Sequence, residues 1–170
     1  MCIRDRHWYV VLTRTNSERK VRDYFQLQEV DTFLPVQNRV IEREGKRIER
    51  ERLLLPRMVF VHISRQEMAA VRSTLNVYDF LRDRSTGAPT CIPDAQMADF
   101  RYMLDYSQDQ VILTGESIPK GTRVVVAKGD LQGLRGELVR YNNKYHILVR
   151  IDMFGSAMVT IPASYVRKEK

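Results

Sequence analysis

Two hydrophobic periodicities divide the chain. As far as about residue 106, short apolar runs alternate with stretches whose apolar positions recur every three or four residues; from Thr122 onward only strand-like runs and turn residues follow. Trp8-Tyr9-Val10-Val11-Leu12 is aromatic, β-branched and apolar, the composition of a buried strand. Thr15-Asn16-Ser17-Glu18 reads as a capping box with Thr15 at the N-cap, and Val21, Tyr24, Phe25 and Gln28 follow at helical spacing. Thr32 to Ile41 predicts a second strand anchored by Phe33, Leu34 and Val36. Glu42 to Arg52 is almost all charge around Gly45, a hairpin tip that reads as a solvated ribbon whose mixed charge keeps its strands from pairing with other molecules, with a binding finger as the alternative. Met58 to Ile63 predicts a strand central to its sheet. Arg65 to Leu75 carries Met68, Val71, Arg72 and Leu75 at helical spacing, and Val77 to Leu81 is a fourth strand. Pro93-Asp94 opens a third helix with Met97, Phe100, Met103 and Leu104. This order predicts an α+β fold, ferredoxin-like, with helices covering one sheet face.

Residues 107–118 have little periodicity and read as a linker, which as a flexible chain spans roughly 20 Å. Beyond it, Thr122 to Ala127, Arg135 to Tyr141, Tyr145 to Ile151 and Ala157 to Ile161 are strands, with a short last piece near Tyr165-Val166. Asn142-Asn143 is a two-residue hairpin turn, because asparagine tolerates positive φ. Together they predict a small, all-β, SH3-like barrel. The loop Lys128-Gly129-Asp130-Leu131-Gln132-Gly133-Leu134-Arg135-Gly136 sets Gly129, Gly133 and Gly136 between the first two barrel strands. Such a loop folds back tightly where glycine permits positive φ or close backbone approach.

Charge sharpens this division. The net charge is +7, but residues 119–170 hold 10 Lys/Arg against 4 Asp/Glu while residues 1–118 hold 18 against 17. The basic end attracts phosphate backbones or acidic protein surfaces, although solubility alone also asks for a few net charges. No apolar run reaches the length of a membrane span, and residues 1–7 read as a flexible leader without the apolar core of a signal peptide. Two cysteines, Cys2 and Cys91, argue against a disulfide framework and fit a reducing cytoplasm. Catalytic chemistry is not legible. His7, His62 and His146 lack partners at metal-ligand spacing, and Cys91 has no recognisable base. No glycine loop joins a strand to a helix in the phosphate-cradling manner, so no metal, cofactor or enzymatic activity is expected.

The opening Trp8-Tyr9-Val10-Val11, the turn Leu55-Pro56 before an apolar strand, the glycine loop, and Ile151-Asp152-Met153-Phe154-Gly155-Ser156-Ala157 occur in one order and spacing. In these the chain resembles the NusG family of transcription factors over residues 8 to about 168. The resemblance implies an NGN domain at 8–106, a linker at 107–118 and a KOW domain at 119–168. In detail it is similar to specialised paralogues of the UpxY type, antiterminators of polysaccharide operons. The family implies a non-catalytic, monomeric elongation and antitermination factor whose NGN domain holds the clamp helices of RNA polymerase's largest subunit.

By position, the polymerase-binding patch implied by the resemblance is Tyr9, Leu12, Leu54, Leu55 and Met58. The residues alone leave a second reading, since Leu53-Leu54-Leu55 either caps the core or leaves at least one leucine at an interface. Arg14, Arg19, Lys20 and Arg72 are implied to meet the non-template DNA strand, guanidinium being suited to phosphate and to stacking on bases, or else form an ordinary solvated helix face. Ile151, Met153 and Phe154 are the implied contact for ribosomal protein S10 or termination factor Rho, with barrel core as the alternative. Two departures stand out: Pro56-Arg57-Met58 replaces the family's usual Pro-Gly-Tyr, and Gly129-Asp130-Leu131 replaces Gly-Pro-Phe, which puts a contact with termination factor Rho in doubt. The competing function is an RNA- or ribosome-binding KOW protein with an accessory first domain.

Overall fold

The structure is a computed structural model that describes residues 5–169. β1 (His7–Thr13) is the expected apolar strand, one residue longer at each end. The leader expected over residues 1–7 lies mostly outside the described residues, as does Cys2, and His7 already belongs to β1. α1 (Glu18–Leu27) has Ser17 and not Thr15 at its N-cap position. Ser17 Oγ donates to the Thr15 carbonyl, and the Glu18 carboxylate, buried, accepts the distant Arg57 N–H at 3.0 Å. The expected capping box is therefore replaced by a tertiary bond.

The strand expected from Thr32 to Ile41 is two strands, β2 (Asp31–Phe33) and β3 (Val36–Arg43). Pro35 has no N–H to extend a ladder, and the chain changes sheets across it. β3 pairs with β4 (Lys46–Leu53) as the charged ribbon, turning at Glu44 and Gly45, both at positive φ as a two-residue hairpin turn needs. β5 (Met58–Ile63) follows. The helix expected over Arg65 to Leu75 is a 3-10 turn and then only α2 (Met68–Arg72). Ser64 starts it by donating its N–H and hydroxyl to Glu67, whereas the Ser73 and Thr74 hydroxyls bond back to the Ala69 and Ala70 carbonyls at its end. Leu75 is consequently left exposed. β6 (Val77–Phe80) and the two-residue β7 (Cys91–Ile92) complete the first sheet.

That sheet is antiparallel in the order β2-β5-β1-β6, with β7 added on β1. It is the ferredoxin-like arrangement. Alternation assigns Tyr9, Val11, Val59, Val61 and Ile63 to one face, where they form a core with Val21 and Phe25 of α1 and Val71 of α2. Each such side chain contributes about 1.5–3 kcal/mol when fully buried. Trp8, Val10, Leu12, Met58, Phe60 and His62 occupy the opposite face, with Trp8 stacked on His62 at 4.9 Å.

The chain divides into two compact units, one reaching to Val36 and including Leu53–Asp94, the other comprising Gln37–Arg52 and everything from Ala95. α3 (Asp94–Tyr106) buries Met97, Phe100, Met103 and Leu104, the spacing expected of it. From Ala95 it falls within the second unit, where Tyr102 Oη donates to the Gln132 carbonyl at 2.6 Å and Gln96 exchanges two hydrogen bonds with Asp152. The stretch read as linker contains β8 (Ile112–Thr114), an edge strand on β12 (Gly155–Thr160). Between them in sequence lie β9 (Thr122–Val126), β10 (Arg135–Tyr141) and β11 (Lys144–Ile151), and β13 (Val166–Lys168) ends the sheet order β13-β9-β10-β11-β12-β8. Asn142 and Asn143 turn β10 into β11 at φ 50° and 64°, as their chemistry predicts.

Candidate functional site

The first unit carries an open concavity of about 790 Å³ lined by Leu12, Thr13, Arg14, Thr15, Pro56, Arg57, Met58 and Tyr78. Leu12 and Met58 are direct cross-strand partners, so their side chains meet on the face away from the helical core. On the other side of β1 the register slips, Leu12 facing Asp79 and Thr13 facing Val77. Tyr78 is the extra residue of that bulge, and the bend turns its ring out to 75% exposure. The rim is basic. Arg14 is exposed, its backbone N–H fixed by the Asn76 carbonyl, and Arg57 stands at φ +63°, a left-handed conformation held by the Glu18 carboxylate. Beside Tyr78, Asp79 is pinned between Arg72 and Arg82, each at 3.4 Å. Partial burial raises the Asp79 carboxyl, but the Phe80 N–H and the two arginines together hold it below its ordinary value.

A second candidate surface lies on the barrel. Ile151 is buried, 2% exposed, while Met153 stands out at 52% on a turn where its φ is +73°. Phe154 is half-buried and donates its N–H to the Ile151 carbonyl. The glycine loop behaves as its spacing predicts. Gly129 and Gly133 take positive φ, and Gly136 runs so close to β11 that an added Cβ would lie 2.6 Å from the Leu148 carbonyl oxygen.

The family model described as "Transcription termination factor nusG" matches residues 6–101. The chain belongs to the NusG family. A solved structure of Thermotoga maritima NusG is similar over 99% of this chain and 100% of that chain, at 19% identity and a TM-score of 0.51, a likeness of fold. The MjSpt4:Spt5 complex in conformation A is matched over 96% of this chain and 98% of that chain, at 14% identity and a TM-score of only 0.29. No curated protein matches the chain.

In this NusG-family chain the residues expected to form one polymerase patch are split. Leu12 and Met58 are together, but Tyr9 points to the opposite face and into the core, edge-on to Phe80 at 6.1 Å. Burial pushes its phenol up, more than the neighbouring Arg65 lowers it. Leu54 and Leu55 are half-buried in the turn before Pro56, with the Leu54 N–H on the Pro35 carbonyl, and neither lines the concavity. All three consecutive leucines are half-buried, so none is wholly core or wholly free. Of the basic residues, Arg14 lines the concavity, Arg72 does not but pairs with Asp79, the residue after Tyr78, and Arg19 and Lys20 are exposed on α1. Ile151 separates from Met153 and Phe154 as barrel core. Tyr78 is the residue that strand alternation hid, because a bulge breaks the alternation just there. Its aromatic ring directly before Asp79 in a short strand was the available sign. Among the described residues no group of three or more His, Cys, Asp or Glu is placed to hold a metal ion, and no helix is long and apolar enough to cross a membrane.

Proposed function

We propose that the protein is a non-catalytic transcription elongation and antitermination factor that grips RNA polymerase through the Leu12–Met58–Tyr78 concavity. Residues 8–106 serve as its NGN domain and residues 119–168 as its KOW domain, acting as a monomer in the cytoplasm. The observation that carries this is the bulge at Leu12/Thr13, which gathers two half-buried aliphatic side chains and an outward tyrosine into one concave apolar surface. Such a surface fits a helical pair, here the clamp helices of the polymerase's largest subunit. Holding the clamp shut around nucleic acid disfavours pausing and release. Arg14 on the rim, with Arg19, Lys20 and Arg72 nearby in sequence or through Asp79, steers the non-template strand. Met153 and Phe154 are the barrel's contact for ribosomal protein S10. The protein is a specialised paralogue of the UpxY type, and the departures at Asp130-Leu131 and Arg57 from the family's usual residues support a specialised role.

Burying one anchor supplies about 1.5–3 kcal/mol, so removing it or placing a charge there weakens binding at least about tenfold. Retention on immobilised RNA polymerase is therefore expected to fall for Met58→Glu and Tyr78→Ser while their circular dichroism stays native. In transcription on a long terminator-bearing template the wild-type protein raises read-through and the two variants do not. Folded variants that bind normally would refute the patch, and wild-type protein that leaves pausing and read-through unchanged, or increases termination, would refute antitermination.

A further inference from the structure

On the outer side of the barrel, one carboxylate sits between two guanidiniums on neighbouring strands. Glu169 Oε2 is 3.5 Å from Arg123 Nε, and its Oε1 is 3.4 Å from Arg135 Nη1. The acid is placed there by the fold, because the Glu169 N–H is bonded to the Arg123 carbonyl at 3.0 Å. Strand register extends the basic surface sideways. Arg167 and Arg135 both face Val125 from opposite sides, so they stand two strand spacings apart, about 10 Å. Arg123 lies two residues from Val125 along β9, about 7 Å away. Val125, Arg135, Arg167, Lys168 and Glu169 line a concavity of about 530 Å³.

We propose that Arg123, Arg135 and Arg167 form a phosphate-backbone site for single-stranded nucleic acid, with Glu169 occupying the phosphate position at rest. A carboxylate whose two oxygens each meet a different arginine marks where a phosphate with two free oxygens is held, and forked guanidiniums suit that anion better than an ammonium does. The resident acid is a weak competitor. Arg123 and Arg135 are 55% and 68% exposed, and pairs so open to water hold loosely. Of the other acids at this face, Glu137 is committed to Arg150, and burial raises the Asp99 carboxyl more than Arg123 and Arg135 lower it. Residues 119–170 hold 10 Lys/Arg against 4 Asp/Glu, the bias such a site needs. The site is independent of the polymerase patch, which lies on the other unit and uses none of these residues.

The full chain is titrated with fluorescent oligouridylate and oligothymidylate, without polymerase, at several salt concentrations. Replacing both arginines (Arg123→Ala with Arg135→Ala) weakens binding tenfold or more and lowers the log–log salt slope by about 1.4, from roughly 0.7 per phosphate contact on a single strand. Glu169→Gln, which keeps the side chain's shape but removes the charge that pairs with Arg123 and Arg135, strengthens binding severalfold. Tighter binding of oligouridylate assigns the site to RNA and tighter binding of oligothymidylate to single-stranded DNA, while equal binding shows that it reads only the phosphate backbone the two share. The proposal fails if the double variant keeps its affinity and slope, if Glu169→Gln brings no gain, or if poly-glutamate displaces the wild-type protein as readily as RNA does. That last outcome would make the face a contact for acidic proteins. Retention on polymerase stays unchanged in all these variants.

Discussion

Glu137 is the best single probe of how the barrel is closed. Its side chain is only 6% exposed, yet it serves as an anion: it accepts Arg150 Nε at 2.7 Å, Arg150 Nη2 at 3.1 Å and the Gly121 N–H at 2.9 Å. Arg150 also donates to the Ile118 carbonyl, so one ion pair ties the segment Ile118–Gly121 down onto the sheet. Glu137→Gln keeps the shape and removes the charge. Hydrogen bonds to a charged group contribute about 1.5–3 kcal/mol, and because Arg150 is 40% exposed it recovers part of its hydration, which leaves an expected loss of about 1–2 kcal/mol. Burial raises the Glu137 carboxyl, but Arg150, the Gly121 N–H and Arg123 outweigh it and hold the folded value below the ordinary 4.5. A depressed folded value means that the stabilisation is complete above 4.5 and is lost as pH falls through the folded value. Guanidinium unfolding followed by near-ultraviolet tyrosine circular dichroism measures the gap between wild type and variant. Fluorescence of Trp8, the only tryptophan, reports the first unit and is expected not to move. Hydrogen exchange at the Gly121 amide is expected to quicken in the variant. A gap of the same size at neutral pH and well below 4.5, or no gap at all, would refute the argument.

Arg57 stands at φ +63°, where a side chain costs about 1–2 kcal/mol and glycine costs none, against about 0.4–1 kcal/mol of extra unfolded-state entropy for glycine. Arg57→Gly is therefore expected to stabilise the first unit by about 0.5–1 kcal/mol in a thermal melt read by Trp8 fluorescence; a lower midpoint would show that the arginine side chain matters more than its backbone. Gly136→Ala puts a Cβ 2.6 Å from the Leu148 carbonyl oxygen and is expected to cost about 1–3 kcal/mol of barrel stability in guanidinium unfolding. An unchanged barrel midpoint would mean that β10 and β11 separate more easily than their register suggests.

Much of the architecture was legible in the residues because its determinants are local. Short apolar runs placed β1 and β5, apolar runs and alternation placed the barrel strands, Asn142-Asn143 and Gly45 placed the hairpin turns, and α3 kept its spacing of buried residues. The errors fell where distant groups compete with local preference. Thr15 lost the cap because Glu18 was taken by Arg57, and the second helix stopped early because Ser73 and Thr74 turned their hydroxyls back on the chain. β8 was missed because an edge strand of three residues draws its order from its partner on β12 and not from its own pattern.

The candidate sites divide in the same way. The order of residues was enough for the kinds of side chain present, the basic bias of the last third, the strand and turn periodicity, and the motifs that place the chain in the NusG family. It took the folded molecule to make Tyr9 core and Tyr78 surface, to part Ile151 from Met153, and to bring Arg123, Arg135 and Glu169 together. The physical reason is that a strand's two faces are equivalent until something covers one of them. Which face is covered, and where a bulge reverses it, depends on elements far away in the chain.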